Sequence, residues 1–183
     1  MTIAIIIGAV VLLILIFVLA TYNGLIKSKN LVQEGFATMD VYLKKRWDLI
    51  PNLVETVKGY ATHEKETLEA VVNLRSKQYS NMSDDEKITA NKELKTGLSR
   101  LMMLAENYPD LKANESFTKL SSELSSLESD IANSRKYYNA VVREYNNKIE
   151  MFPSNVVAGM FNFKQKEMIE IQDNERENVK VQF

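Results

Sequence analysis

Residues 40–60 read DVYLKKRWDLIPNLVETVKGY, and the fold depends on how Pro51 within them is taken. On both sides of it the apolar residues keep helical spacing, with Met39 and Leu43 before and Leu53, Val54 and Val57 after. A proline inside a helix removes one amide and presses its ring on a preceding carbonyl, costing about 3 kcal/mol. In a first turn that amide has no partner anyway, and Asp48, three residues earlier, is a candidate N-cap. The stretch therefore predicts a helix that kinks or restarts between Trp47 and Asn52.

The cations Lys44, Lys45 and Arg46 precede that break. Asp40, Lys44 and Asp48 stand at i, i+4 spacing, so part of the charge is neutralised locally. Two readings stay open. One is a solvated charged face beside a kink. The other is an interaction elbow for an acidic partner, built from Lys45, Arg46, Trp47, Asp48 and Asn52, because Arg and Trp are over-represented at interface hot spots.

Upstream, the first 26 residues carry no charged side chain, and Ile3 to Ala20 is apolar except for Gly8. About 20 apolar residues at 1.5 Å each span a hydrocarbon core of roughly 30 Å, so residues 3–20 predict contact with a lipid bilayer as a transmembrane helix. A cleaved signal peptide is the rival, with Val18-Leu19-Ala20 as the cleavage site. It lacks a basic n-region, and its apolar run is longer than the usual h-region. Lys27 and Lys29 follow the span while only Met1 and Thr2 precede it, which places the amino terminus outside and the carboxyl domain in the cytoplasm. If the helix runs straight, Lys44 lies roughly 36 Å past Ala20, several Debye lengths from its own bilayer.

Downstream the pattern is helical throughout. Phe117, Leu120, Leu124, Leu127, Ile131, Tyr138, Val141 and Tyr145 follow a 3-4 rhythm broken at Ser134. Shorter seams run through Leu94, Leu98, Leu101, Ala105 and Tyr108, and through Val57, Ala61, Leu68 and Val71 with Glu64 as the exception. Ser83-Asp84-Asp85-Glu86 is a capping box that starts one helix. Pro109 closes that helix, Asn114 suits the N-cap of the next, and Phe152-Pro153 ends it. The expected fold class is all-α: a single N-terminal transmembrane helix followed by an antiparallel bundle of long helices. Three parts are expected: an anchor over 1–24, the bundle over 25–152, and a short helix with a charged tail over 153–183.

Composition narrows the function. The net charge of −1 gives no reason to expect nucleic acid as a partner, and the absence of cysteine excludes disulfides, thiolate nucleophiles and zinc–sulfur sites. His63 is the only histidine, which removes Ser-His arrangements and the paired Glu-x-x-His motifs of a di-metal bundle. No cofactor, metal or catalytic residue is expected, and a homo-oligomer is compatible with the pattern. Tyr138-Asn139 and Tyr145-Asn146 recur at seven residues. That places the tyrosines in the seam and the asparagines on the adjacent stripe, either bonded across to a neighbouring helix or lining a groove. Asp110, Asn114 and Arg135 complete the structural polar positions. Arg135 and Arg143, if buried, need a carboxylate, with Asp48, Glu55 and Asp110 as candidates. Val156 to Phe163 is either a short helix packed over the bundle or an exposed apolar segment that docks a partner or lipid. Val179 to Phe183 alternates apolar and polar, as a strand added to a partner would.

Several stretches resemble the LemA family of bacterial membrane proteins. They are Tyr22-Asn23-Gly24-Leu25, Lys29-Asn30-Leu31-Val32, Asp40-Val41, Leu43 to Arg46, Asp48 to Val54, and Val57 to Tyr60. Tyr108 to Asn114 resembles a second signature; Arg135, Tyr138-Asn139, Val142, Tyr145-Asn146, Ile149 and Phe152-Pro153 resemble a third. The resemblance covers essentially the whole chain. Departures are Ser129 and Asp130, where the family has Asn and Arg before Ile131, and Asn178, where its tail has proline. The resemblance implies a single-pass anchor with an extracytoplasmic amino terminus, a helical domain, and no established catalysis, in envelope-stress or membrane-peptidase contexts. A membrane-tethered scaffold or adaptor for an unknown protein partner is thus the first expectation. The second is an extracytoplasmic or shed envelope or lipid-binding protein.

Overall fold

The computed structural model describes residues 1–61, 63–73 and 78–170. Among them it has six α-helices, α1 (Thr2–Lys58), α2 (Lys65–Asn73), α3 (Asp84–Ala105), α4 (Pro109–Lys112), α5 (Glu115–Glu150) and α6 (Ser154–Met160), with one 3-10 turn at Tyr79–Asn81. The chain is all-α, and its first helix is long and apolar enough at its start to cross a membrane. The expected strand over Val179 to Phe183 lies outside the described residues.

The restart at Pro51 does not occur: α1 is one helix of 57 residues with Pro51 inside it. Trp47, Ile50, Leu53, Val54 and Val57 are all buried on one stripe, which continues in phase through the proline. Four buried aliphatic side chains at about 1.5–3 kcal/mol each outweigh a proline penalty of about 3 kcal/mol. Asp48, the supposed N-cap, instead accepts a bond from Lys44 one turn earlier. The helix ends six residues later than expected of a break: Lys58 is its last residue, and Gly59 and Tyr60 turn the chain, with the Ala61 amide bonded to the Val57 carbonyl. The seam from Val57 to Val71 is accordingly shared by two helices.

The chain divides into two compact units, Thr38–Asn133 and Met1–Ala37 with Ser134–Phe183. In the first, α1 residues 40, 46 and 64 of the following turn meet residues 87, 91 and 108, so α1 and α3 run parallel. Arg46 meets Glu128 and Tyr60 meets Asn114, so α5 runs antiparallel to α1. The α3 capping box forms as expected, with the Ser83 hydroxyl accepting from the Glu86 amide and the Glu86 carboxylate accepting from the Ser83 amide. Asn114 caps α5 by accepting from the Phe117 amide at 3.0 Å. Pro109, expected as a stop, is the first residue of the one-turn α4.

In the second unit α1 and α5 are again antiparallel, Ser28 meeting Lys148 and Phe36 meeting Tyr138. A Cβ on Gly35 would come within 3.2 Å of Val141 Cγ2 and 3.4 Å of the Tyr138 Cα, so the missing side chain sets the closeness of the two helices. Val32, Tyr138, Val141, Val142 and Tyr145 form the core there. Leu25, Val157 and Ala158 form a second cluster, in which α6 packs on α1 with Val18 and Tyr22 at its margin.

Candidate functional site

In the unit Thr38–Asn133, the presumed elbow is a buried polar network. Arg46 and Trp47 are each only 3% exposed. The Arg46 guanidinium donates to the Asn91 carbonyl oxygen at 2.8 Å and to Asn91 Oδ1 at 3.0 Å, and its other arm reaches the Glu128 carboxylate. Asn91 in turn donates to the Lys87 carbonyl at 3.0 Å. A docking role for Arg46 and Trp47 is therefore corrected: the acidic group that Arg46 meets belongs to its own bundle, and a buried guanidinium has to be paired. Trp47 stacks at a tilt on Tyr79, with ring centroids 5.4 Å apart. Lys45, Asp48 and Asn52 remain on the surface, Lys45 lying 5.5 Å over the Tyr42 ring.

Asp40 closes the same network nearly two turns lower on α1. It accepts from the Tyr79 hydroxyl at 2.7 Å and from Lys87 Nζ at 2.8 Å, rather than joining Lys44. Burial and the adjacent Asp40 carboxylate push the Tyr79 phenol well above the usual tyrosine range, so it stays neutral and keeps donating. Asn91, Glu128, Tyr79 and Lys87 were not singled out from sequence. The available signal was Asn91, a polar residue three positions before Leu94 on an otherwise apolar stripe.

The other unit carries the Tyr-Asn repeat, and its partner is an extended tail rather than a helix. Asn139 donates to the Ile169 carbonyl at 2.8 Å and accepts from the Ile169 amide at 2.9 Å. Asn146 does the same with Lys166, at 2.8 and 2.9 Å. The Tyr138 hydroxyl donates to the Glu167 carbonyl and the Tyr145 hydroxyl to the Lys164 carbonyl. Seven residues of helix rise about 10.5 Å, and three residues of extended chain span about 10 Å, so each heptad meets every third tail residue. The groove considered for this repeat is thus filled by residues 164–170 of the same chain.

The tail reaches α5 because Asn162 adopts a left-handed φ of 55° after α6. Its amide bonds to the Gly159 carbonyl and that of Phe163 to the Ala158 carbonyl, the paired bonds of a Schellman cap. The reversal leaves a cleft of about 380 Å³ lined by Tyr22, Lys29, Tyr145, Phe161, Phe163, Lys164 and Lys166 among others, with no carboxylate in its lining. Tyr22 packs on Phe161 and Phe163 at centroid distances of 4.7 and 5.8 Å. Burial raises the Tyr145 phenol above its ordinary range, keeping it a donor to the tail. Asp110 is exposed on α4, Arg135 is half-buried and Arg143 is exposed.

Comparison with known proteins bears on the whole arrangement. Over 161 residues the chain is 29% identical to Protein LemA of Metamycoplasma hominis, covering 86% of this chain and 72% of that one. Over 70 residues it is 34% identical to the Magnetosome proteins MamQ 1 and MamQ 2 of Paramagnetospirillum magneticum, covering 38% of this chain and about a quarter, 26%, of each of those. The family model described as LemA family matches residues 35–183, which hold all of the buried network and all of the Tyr-Asn repeat with its tail, and the chain belongs to the LemA family.

Proposed function

We propose that this protein is a non-enzymatic scaffold anchored in a bacterial cell membrane by residues 3–20, with its helical units in the cytoplasm presenting a surface to a protein partner. The observation that carries the reading is the contrast along α1. Its apolar side chains from Ile3 to Phe17 have no cover, whereas from Leu25 onward the same helix buries one apolar residue after another. A contiguous apolar surface of that length has a bilayer as its natural solvent. Lys27 and Lys29 just past the span favour the orientation with the units inside.

The buried polar residues support a structural role. Arg46 is satisfied by Asn91 and Glu128, and Asp40 by Tyr79 and Lys87, a pattern of fold specification rather than turnover. Because the chain has no cysteine, Asn81→Cys in the exposed 3-10 turn gives a single probe for a membrane-impermeant maleimide on intact cells. Labelling only after lysis is the expected result. Labelling of intact cells overturns the orientation and moves the search for partners to the envelope.

A further inference from the structure

The lysine-lined cleft sits where α1 leaves its apolar stretch. Tyr22 lies about 3 Å and Lys29 about 13 Å past Ala20 along the helix axis. Helical side chains tilt toward the amino terminus, so Lys29 reaches back toward the span. Each leaflet's headgroup layer is roughly 5–8 Å thick, and a charge acts across a Debye length of about 8 Å beyond it. Lys44, at roughly 36 Å, has no such reach.

We propose that this cleft binds the phosphate-bearing headgroup of an anionic phospholipid, with α6 lying in the bilayer interface beside it. The proposal rests on the membrane anchor of the preceding section. Lys29, Lys164 and Lys166 line the cleft, and no carboxylate pairs with their ammonium groups among the described contacts. The nearby Glu150 is engaged by Gln165, while Glu167 and Glu170 lie further along the tail and outside the lining. Lys164 and Lys166 hang from a backbone already fixed by Tyr145 and Asn146, so their positions are set before any ligand arrives.

The apolar surroundings point to lipid as the source of the phosphate. Val157 and Ala158 fasten α6 to Leu25. Around them Phe152, Val156, Met160 and Phe161 remain exposed, Phe152 at 81% and Met160 at 69%. Continuous with the uncovered span and flanked by lysines, that surface has the character of a helix lying in the headgroup boundary. Tyr22, Phe161 and Phe163 supply the aromatic residues that favour the same depth.

The test uses the full chain reconstituted in nanodiscs of mixed phosphatidylcholine and phosphatidylglycerol, extracted in mild detergent, with retained lipid counted by native mass spectrometry. Retention of phosphatidylglycerol over phosphatidylcholine is expected. Near a membrane surface each lysine is expected to contribute about fivefold, so Lys29→Gln, Lys164→Gln and Lys166→Gln each lower the preference and the triple variant abolishes it. Lys92→Gln, Lys112→Gln and Lys119→Gln, the same charge change elsewhere, leave it intact.

A fluorophore on Val156→Cys or Met160→Cys, quenched by brominated lipid, reports α6 independently of the lysines. Absence of that quenching, equal loss in the control triple, or displacement of the lipid by dilute inorganic phosphate overturns the proposal. Failure of the chain to insert into the discs overturns the anchor itself. Insertion without a lipid preference refutes only the headgroup site.

Discussion

Replacing Arg46 by alanine is expected to unfold much of what holds the unit Thr38–Asn133 together, and the contacts give the size. Asn91, 2% exposed, loses the donor to its Oδ1, and an unsatisfied buried polar group costs about 1–3 kcal/mol. Glu128 is 35% exposed and partly rehydrates, so its loss is held to about 1 kcal/mol at most. The buried methylene stem of Arg46 adds about 1 kcal/mol of lost packing. The sum, about 2–5 kcal/mol, overlaps the usual cost of removing one partner of a buried ion pair.

Trp47 is the chain's only tryptophan, lies next to Arg46 and is buried against Tyr79, so its fluorescence reports this unit directly. Urea titration of the full chain in detergent micelles should show the midpoint falling by about 2 M for Arg46→Ala. Arg46→Lys, which cannot reproduce the forked donors, should fall by about half as much. Lys45→Ala, on the surface, should stay within about 0.5 kcal/mol of the parent. An Arg46→Ala protein equally close to the parent would falsify the network as a structural element and restore Arg46 to the list of docking residues.

Two further outcomes follow from the same geometry. The paired change Asn139→Leu with Asn146→Leu should speed hydrogen exchange at the Ile169 and Lys166 amides by about tenfold to a hundredfold, with amides of α3 unaffected; unchanged exchange would mean that the tail is held by something other than the asparagines. Tyr79 titrates above its ordinary value of 10.0, so its contribution to stability is complete below pH 10 and declines as the pH rises toward the higher folded value. Between pH 10 and that folded value the parent should lose up to about 1.4 kcal/mol per pH unit through this group, and Tyr79→Phe should lack that component; identical alkaline slopes would show that the phenol is not protected.

What was legible in the sequence was what nearby residues decide. The Ser83 capping box and the Asn114 cap are settled within three residues, and the apolar rhythm of α5 is long enough to survive one serine. Pro51 misled because its local penalty is visible in the sequence, while the burial that outweighs it comes from helices far along the chain. Arg46 misled for the same reason: its partners lie 45 and 82 positions away. The tail was the least readable part, because the asparagines bind backbone atoms, which leave no side-chain signature, and one apolar contact at Ile169 is too common a feature to reveal it.

That last property has a consequence for how the chain end can change. A fastening made largely through amides and carbonyls imposes a grammar with little vocabulary: proline is barred at 166 and 169, where an N–H must be donated, an apolar side chain is favoured at 169, where Ile169 packs on the core, and the residues between are free to drift. The strap can therefore acquire new charges, new contacts or a new address while remaining fastened to the same two asparagines.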